Sequence, residues 1–83
     1  MDEIQHKRKM YLTGRVFSFM LEVKDSNFPE SWEVRLLGIS KTILTYLNMG
    51  IVSLDIIEEC LADEENTLVM IQQKKLSLEL GEK

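Results

Sequence analysis

The fold is decided by one uninterrupted stretch, Trp32-Glu-Val-Arg-Leu-Leu-Gly-Ile-Ser-Lys-Thr-Ile-Leu-Thr-Tyr-Leu47. Its apolar side chains recur at intervals of four, three, four, three and one residues, at Trp32, Leu36, Ile39, Ile43, Tyr46 and Leu47. This spacing puts them on one face of a helix with 3.6 residues per turn. Pro29 before the stretch is typical of a helix start, and Gly50 after it is typical of a helix end. We therefore expect a helix that begins near Pro29 and stops at 48–50.

The segment before this stretch predicts a first helix. Asp2, followed by Gln5 three residues later, matches a capping box, and the apolar pattern ends near Asp25. One side of this helix holds Met10, Gly14, Phe17, Met20 and Leu21, and the other holds Leu12, Val16, Phe19 and Val23. Because both sides are apolar, we expect the second half of the helix to be sandwiched between neighbours.

The segment after Gly50 predicts one or two more helices. Ser53 can cap a short third helix, with Leu54, Ile57 and Leu61 facing inward. The apolar pattern loses its phase around 62–66, and a fourth helical segment is predicted to follow. In the tail, apolar residues alternate over 76–80, which is compatible with a strand or with a fraying end.

Together these segments predict a small all-α domain of three to four helices that spans residues 1–83. Its core is predicted to be Trp32, Leu36, Ile39, Ile43 and Leu47, packed against Phe17, Leu21, Ile57 and Leu61. The alternative is an α+β fold with an N-terminal hairpin over 15–38, because 15–23 and 32–38 also alternate. The length of the stripe over 32–47 favours the helical fold.

Length and composition exclude several classes of protein. A chain of 83 residues, 45% of them hydrophobic, supports one core and excludes a multidomain enzyme with a deep substrate cavity. The single cysteine, Cys60, cannot form an intramolecular disulfide, which indicates a reducing compartment. The sequence has no small-residue cleavage site and no apolar run near the eighteen or so residues that span a bilayer. We therefore expect a cytoplasmic protein without membrane contact.

No motif indicates catalysis or metal binding. Cys60 and His6 are the only cysteine and histidine, and two such residues cannot supply the four ligands of a zinc site. His6 is predicted to be a solvated surface residue, and Cys60 a small buried or half-buried one. The chain also lacks a phosphate-binding loop, a nucleophile elbow and a zinc-protease motif. We expect a non-catalytic protein without a metal or another cofactor.

Charge and apolar surface indicate a protein-binding function. The chain carries a net charge of −4, and six carboxylates lie within 55–65, where no basic residue occurs. Such a face repels phosphate and favours a partner with a basic surface. We expect a small regulatory or adaptor protein that binds a larger protein and also forms a homodimer. The predicted interface residues are Phe17, Phe19, Met20, Tyr46 and Met49.

DNA binding is the alternative function. The segment 34–50, VRLLGISKTILTYLNMG, resembles the helix-turn-helix of the excisionase-like and small phage repressor families, in which a Leu-Gly-Val/Ile-Ser turn precedes the recognition helix. The resemblance implies that Lys41 approaches a phosphate and that Thr42, Thr45 and Asn48 face base edges. The other interpretation places Gly38 inside one continuous helix, at a cost of about 1 kcal/mol. The acidic net charge makes nucleic acid the less favoured partner.

Overall fold

Three helices make up the fold. The computed structural model describes residues 3–79, with the side chains of residues 3–76. The helices are α1 (Glu3–Asp25), α2 (Glu30–Met49) and α3 (Leu54–Glu79). Within residues 3–79 there is no strand, so the all-α prediction is confirmed and the hairpin over 15–38 is wrong.

The two turns contain the residues that tight turns need. Asn27, in the turn between α1 and α2, has a φ of 56°, a left-handed conformation that asparagine tolerates. Gly50, after α2, has a φ of 71°, and its N–H donates to the Tyr46 carbonyl at 3.3 Å. The Ser53 hydroxyl accepts a hydrogen bond from the Asp55 N–H at 3.2 Å, which confirms the predicted cap of α3. The predicted cap at Asp2 lies outside the described residues.

α3 is one long helix, so the predicted break at 62–66 is wrong. The buried stripe keeps its helical spacing through Ile57, Leu61 and Leu68. Glu64 occupies the position of that stripe between Leu61 and Leu68, which is why the apolar pattern loses its phase in the sequence. The strand considered for the tail is also absent as far as Glu79, where α3 ends; residue 80 lies outside the described part.

The core consists of two adjoining clusters between the helices. The first contains Leu12, Val16, Ile43, Leu47, Ile57 and Leu61. The second contains Phe19, Val23, Phe28, Leu36 and Leu68, and it closes the end of the bundle beside the first turn. All three helices contribute to the first cluster, so no helix can keep its buried face without the other two.

The predicted core is confirmed for the buried residues of α2 and α3, partly right for Ile39, which is half-buried, and wrong for Trp32 and for both residues of α1; the confirmed residues are Leu36, Ile43, Leu47, Ile57 and Leu61. Phe17 and Leu21 are 52% and 63% exposed, and the buried face of α1 is the other one, which includes Val16 and Phe19. Both faces are apolar, so apolar patterning does not choose between them. The second half of α1 is therefore not sandwiched: the face with Phe17 stays open. Trp32, placed at the core centre by the stripe, is 46% exposed at its edge.

Contacts between α1 and α3 hold these two helices side by side and parallel. Each of the two short turns reverses the direction of the chain. Contacts between α1 and α3 therefore join residues about 50 positions apart, such as Arg8 with Asp55 and Arg15 with Glu65. At the far end, the Lys75 ammonium donates to the carbonyls of Ser26 and Asn27, at 2.6 and 3.2 Å. This lysine satisfies backbone acceptors of the first turn and holds α3 against it.

Candidate docking groove between α2 and α3

An open groove runs between α2 and α3 on the side away from α1. It consists of three adjoining hollows of about 490, 550 and 260 Å³. The first two share Ile39 and Glu64, and the last two share Trp32 and Ile71. From the level of Trp32 to that of Tyr46 the groove is about 21 Å long, at 1.5 Å per helical residue. We call this surface the α2–α3 groove.

The groove is mainly apolar. Its large apolar side chains are Trp32, Ile39, Tyr46, Ile56 and Ile71. Trp32, Tyr46 and Ile56 are each about half exposed, whereas Ile39 and Ile71 are half-buried and also pack against the two core clusters. A helix packed here would complete a four-helix arrangement, since α1 already covers the opposite side of α2 and α3.

Glu64 lies at the middle of the groove, level with Ile39. Its neighbours along the buried face of α3 are Leu61 and Leu68, and it is itself half-buried. Among the described side chains, none forms an ion pair with Glu64 within 4.0 Å. Arg35 lines the same hollow from α2, but it does not reach the carboxylate.

The side of α3 that faces α1 carries three of the other carboxylates, and two arginines of α1 pair with them. Arg15 donates to both carboxylate oxygens of Glu65, one of them at 3.3 Å from Nε, and also contacts Glu58 at 3.5 Å. Arg8 donates to Asp55 and, at 3.1 Å, to Glu58. Half of the six carboxylates in 55–65 are therefore paired within the chain, so the stretch as a whole is not an open acidic surface.

These contacts raise the pKa values of both arginines. The hydrogen bonds that Arg15 donates to Glu65 raise the pKa of Arg15 above its usual value; burial opposes this rise, and the negative charge of Glu65 adds to it. The hydrogen bonds that Arg8 donates to Asp55 and Glu58 raise the pKa of Arg8 in the same way. Both guanidinium groups consequently stay charged well into the alkaline range, and the contact between α1 and α3 loses no arginine charge near neutral pH.

The structure separates the residues that the sequence placed in one interface. Phe19 is 4% exposed in the core, and Met20 packs against the first core cluster, so Phe19 is not an interface residue. Phe17 lies on the open face of α1, whereas Tyr46 lines the α2–α3 groove on the far side of α2. Met49 is exposed at the end of α2. The predicted patch is therefore two surfaces.

The segment that resembles a helix-turn-helix contains no turn, because α2 is helical throughout Glu30–Met49. Lys41, Thr42, Thr45 and Asn48 are all exposed on this single helix. The hydroxyl groups of Thr42 and Thr45 donate within the helix, to the carbonyls of Gly38 and Lys41 at 3.0 and 2.9 Å. The recognition helix implied by the resemblance is thus not a separate element.

The two residues considered for catalysis lie apart. Cys60 is exposed and lines the groove, so the prediction that it is buried or half-buried is wrong. His6 is exposed on α1, which contributes no residue to the groove.

Across the described residues, no group of three His, Cys, Asp or Glu side chains is placed to hold a metal ion. No helix in that part of the chain is both long and apolar enough to cross a membrane.

Sequence reasoning missed two features of this site and one buried polar residue of α2. It did not identify the groove, the unpaired position of Glu64, or Ser40, which is fully buried and donates to the Leu36 carbonyl at 3.0 Å. A signal for Glu64 was present, because a carboxylate at a stripe position four residues before Leu68 interrupts an otherwise apolar face.

No protein-family model, curated protein or solved structure matches this chain. Function is therefore inferred from the geometry.

Proposed function

We propose that this chain is a non-catalytic adaptor or regulatory module that binds one helix of a larger protein in the α2–α3 groove. The observation that carries the proposal is the groove itself, which is apolar, about four helical turns long and open to solvent. Amphipathic helices bind to other proteins by laying their apolar face into such a groove. The half-exposed Trp32 and Tyr46 supply the aromatic surface that is enriched in binding hot spots.

The exposed thiol of Cys60 is consistent with a protein of the reducing cytoplasm, which is where we place this function.

Self-association is a second part of the proposal. Met10, Phe17 and Leu21 form an exposed stripe on α1 opposite the core, which we call the outer α1 stripe. A two-fold axis would pair this stripe with itself in a homodimer and leave both grooves open to partners.

Affinity capture from the native host, with mass spectrometry as the readout, tests the binding function. The wild-type chain should retain a discrete protein, and Ile56→Arg, which places a charge in the groove, should lose it. The matched control is Met70→Arg on the same helix, because Met70 is 69% exposed and lines none of the three hollows. Equal retention by wild type and Ile56→Arg would contradict the proposed groove.

A further inference from the structure

We propose that the helix bound by the α2–α3 groove carries a lysine or arginine at the centre of its apolar stripe, and that this cation pairs with Glu64. The inference rests on the proposed function and specifies the chemistry of the partner. It depends on the position of one carboxylate in the structure and on the distribution of charge along the groove.

Glu64 occupies a place that a helix in the groove would cover. It lies level with Ile39, midway between the ends marked by Trp32 and Tyr46, and two of the three hollows share it. Along α3 it falls in helical register with the buried residues Leu61 and Leu68. Any helix long enough to contact both Trp32 and Tyr46 therefore passes over this carboxylate.

A covered carboxylate needs a partner. Removing a charge from water without an opposite charge is costly, and truncating one member of a buried pair weakens complexes strongly. Arg8 and Arg15 of α1 are bound to carboxylates on another side of α3, and Arg35 of α2, which lines the same hollow, is not within 4.0 Å of the Glu64 carboxylate. An entirely apolar helix would leave Glu64 desolvated and unpaired, whereas a helix with a central cation would complete the pair.

The remaining charges fix where this cation must lie. Arg35, Lys74 and Lys75 line the groove towards the Trp32 end, so a cation of the partner is repelled there. Among the side chains of residues 3–76, no basic one lines the hollow towards Tyr46. The groove therefore selects a partner helix with one basic residue at its centre and neutral or acidic residues near Trp32.

Two native reporters make the inference testable without a known partner. Trp32 and Cys60 are the only tryptophan and the only cysteine of the chain, and both line the groove. Binding in the groove can be measured from Trp32 fluorescence and from the slower alkylation of Cys60. The probes are three synthetic helical peptides of about 18 residues, enough to span the groove. They share one leucine stripe and differ only in a central lysine, norleucine or glutamate.

The wild-type chain should bind the lysine peptide about tenfold or more tightly than the norleucine peptide, and the glutamate peptide most weakly. Glu64→Lys should reverse the order of the lysine and glutamate peptides. Glu64→Gln, which keeps the size of the side chain, should abolish the preference for lysine over norleucine. The matched control is Glu59→Lys, the same charge change at an exposed residue outside the groove, which should keep the wild-type order.

Equal affinity of the wild-type chain for all three peptides would overturn the assignment of Glu64 and leave the groove as a helix-binding site. The same conclusion would follow if Glu59→Lys changed the order as much as Glu64→Lys, since net charge would then explain it. Absence of binding by any peptide to both the wild type and Glu64→Gln would overturn the proposed function together with this inference.

Discussion

Glu64 and Glu65 are adjacent in the chain, and they lie on opposite flanks of α3. Glu65 accepts two hydrogen bonds from Arg15 on α1, whereas Glu64 lines the groove beside α2. Successive residues on a helix are separated by about 100°, so one step along α3 divides a structural carboxylate from one available to a partner. The two residues should accordingly respond to substitution in different measurements.

The pairing of Arg15 with Glu65 should contribute to stability. A double-mutant cycle with Arg15→Ala and Glu65→Ala should give a coupling energy of about 0.5–1 kcal/mol in the free energy of unfolding, because the pair is bidentate but partly exposed. The coupling should shrink at high salt. Urea denaturation followed by circular dichroism measures it. Glu64→Ala combined with Arg15→Ala is the control cycle, and a coupling of the same size there would contradict the assignment of Glu65.

The two phenylalanines of α1 should differ strongly in their contribution to the core. Phe19→Ala should reduce the free energy of unfolding by about 3–5 kcal/mol, as expected for a buried aromatic residue. Phe17→Ala removes a side chain that is 52% exposed and should cost less than about 1 kcal/mol. Thermal or urea unfolding of the two variants compares the same chemical change on opposite faces of one helix. A larger loss for Phe17→Ala would show that α1 is rotated.

The fold class and the ends of α2 could be predicted because they depend on local rules. The stripe over 32–47 has a single apolar face, and Gly50 provides the left-handed conformation that ends the helix. The orientation of α1 could not be predicted in the same way. Both of its faces are apolar. The face that is buried is the one that lets Arg15 pair with Glu65, and this contact joins residues 50 positions apart, which no local pattern shows.

The candidate site was missed for a related reason. A groove between two helices depends on how they pack, and its lining includes residues that the sequence assigns to the core, such as Ile39 and Trp32. The apolar pattern does lose its phase around 62–66, where Glu64 lies. From the local pattern alone, this loss of phase predicts a break between two helices. Only the continuous course of α3 shows that it is a charge within a buried stripe.

The glycines of α2 provide a test of its continuity. Gly38 is exposed in mid-helix, and an added Cβ would meet nothing within 4 Å, so Gly38→Ala should stabilise the protein by about 0.5–1 kcal/mol. Gly50→Ala should destabilise it by about 1 kcal/mol, because the φ of 71° is unfavourable for alanine. Unfolding curves measure both. A destabilising Gly38→Ala would favour a turn at Gly38, as the helix-turn-helix resemblance implies.

Duplex DNA should not bind. The net charge is −4, and Thr42 and Thr45 lie on a helix that no turn separates from the preceding residues. Specific and nonspecific DNA binding both depend on neutralised phosphates, so affinity is greatest at low salt. Titration of a random labelled duplex at low ionic strength, followed by anisotropy, should show no saturable signal. Binding that weakens steeply with added salt and is lost in Lys41→Gln would contradict this expectation and support the DNA-binding alternative.

Self-association should occur through the outer α1 stripe and not through the groove. Each 100 Å² of apolar surface removed from water favours association by about 2.5 kcal/mol before the entropic cost, and Phe17 and Leu21 are both more than half exposed. Sedimentation equilibrium across micromolar concentrations should show a dimer for the wild type and a monomer for Phe17→Glu. Val34→Glu, at an apolar residue of α2 that is 63% exposed, is the matched control and should leave the dimer intact.

The groove variant Ile56→Arg separates the two surfaces in the same experiment. It should stay dimeric, because Ile56 lies on α3, away from the outer α1 stripe. If Ile56→Arg is monomeric while Phe17→Glu remains a dimer, the second copy occupies the groove. A wild type that is monomeric at every concentration would show that the outer α1 stripe is tolerated in water, as isolated apolar side chains on protein surfaces are.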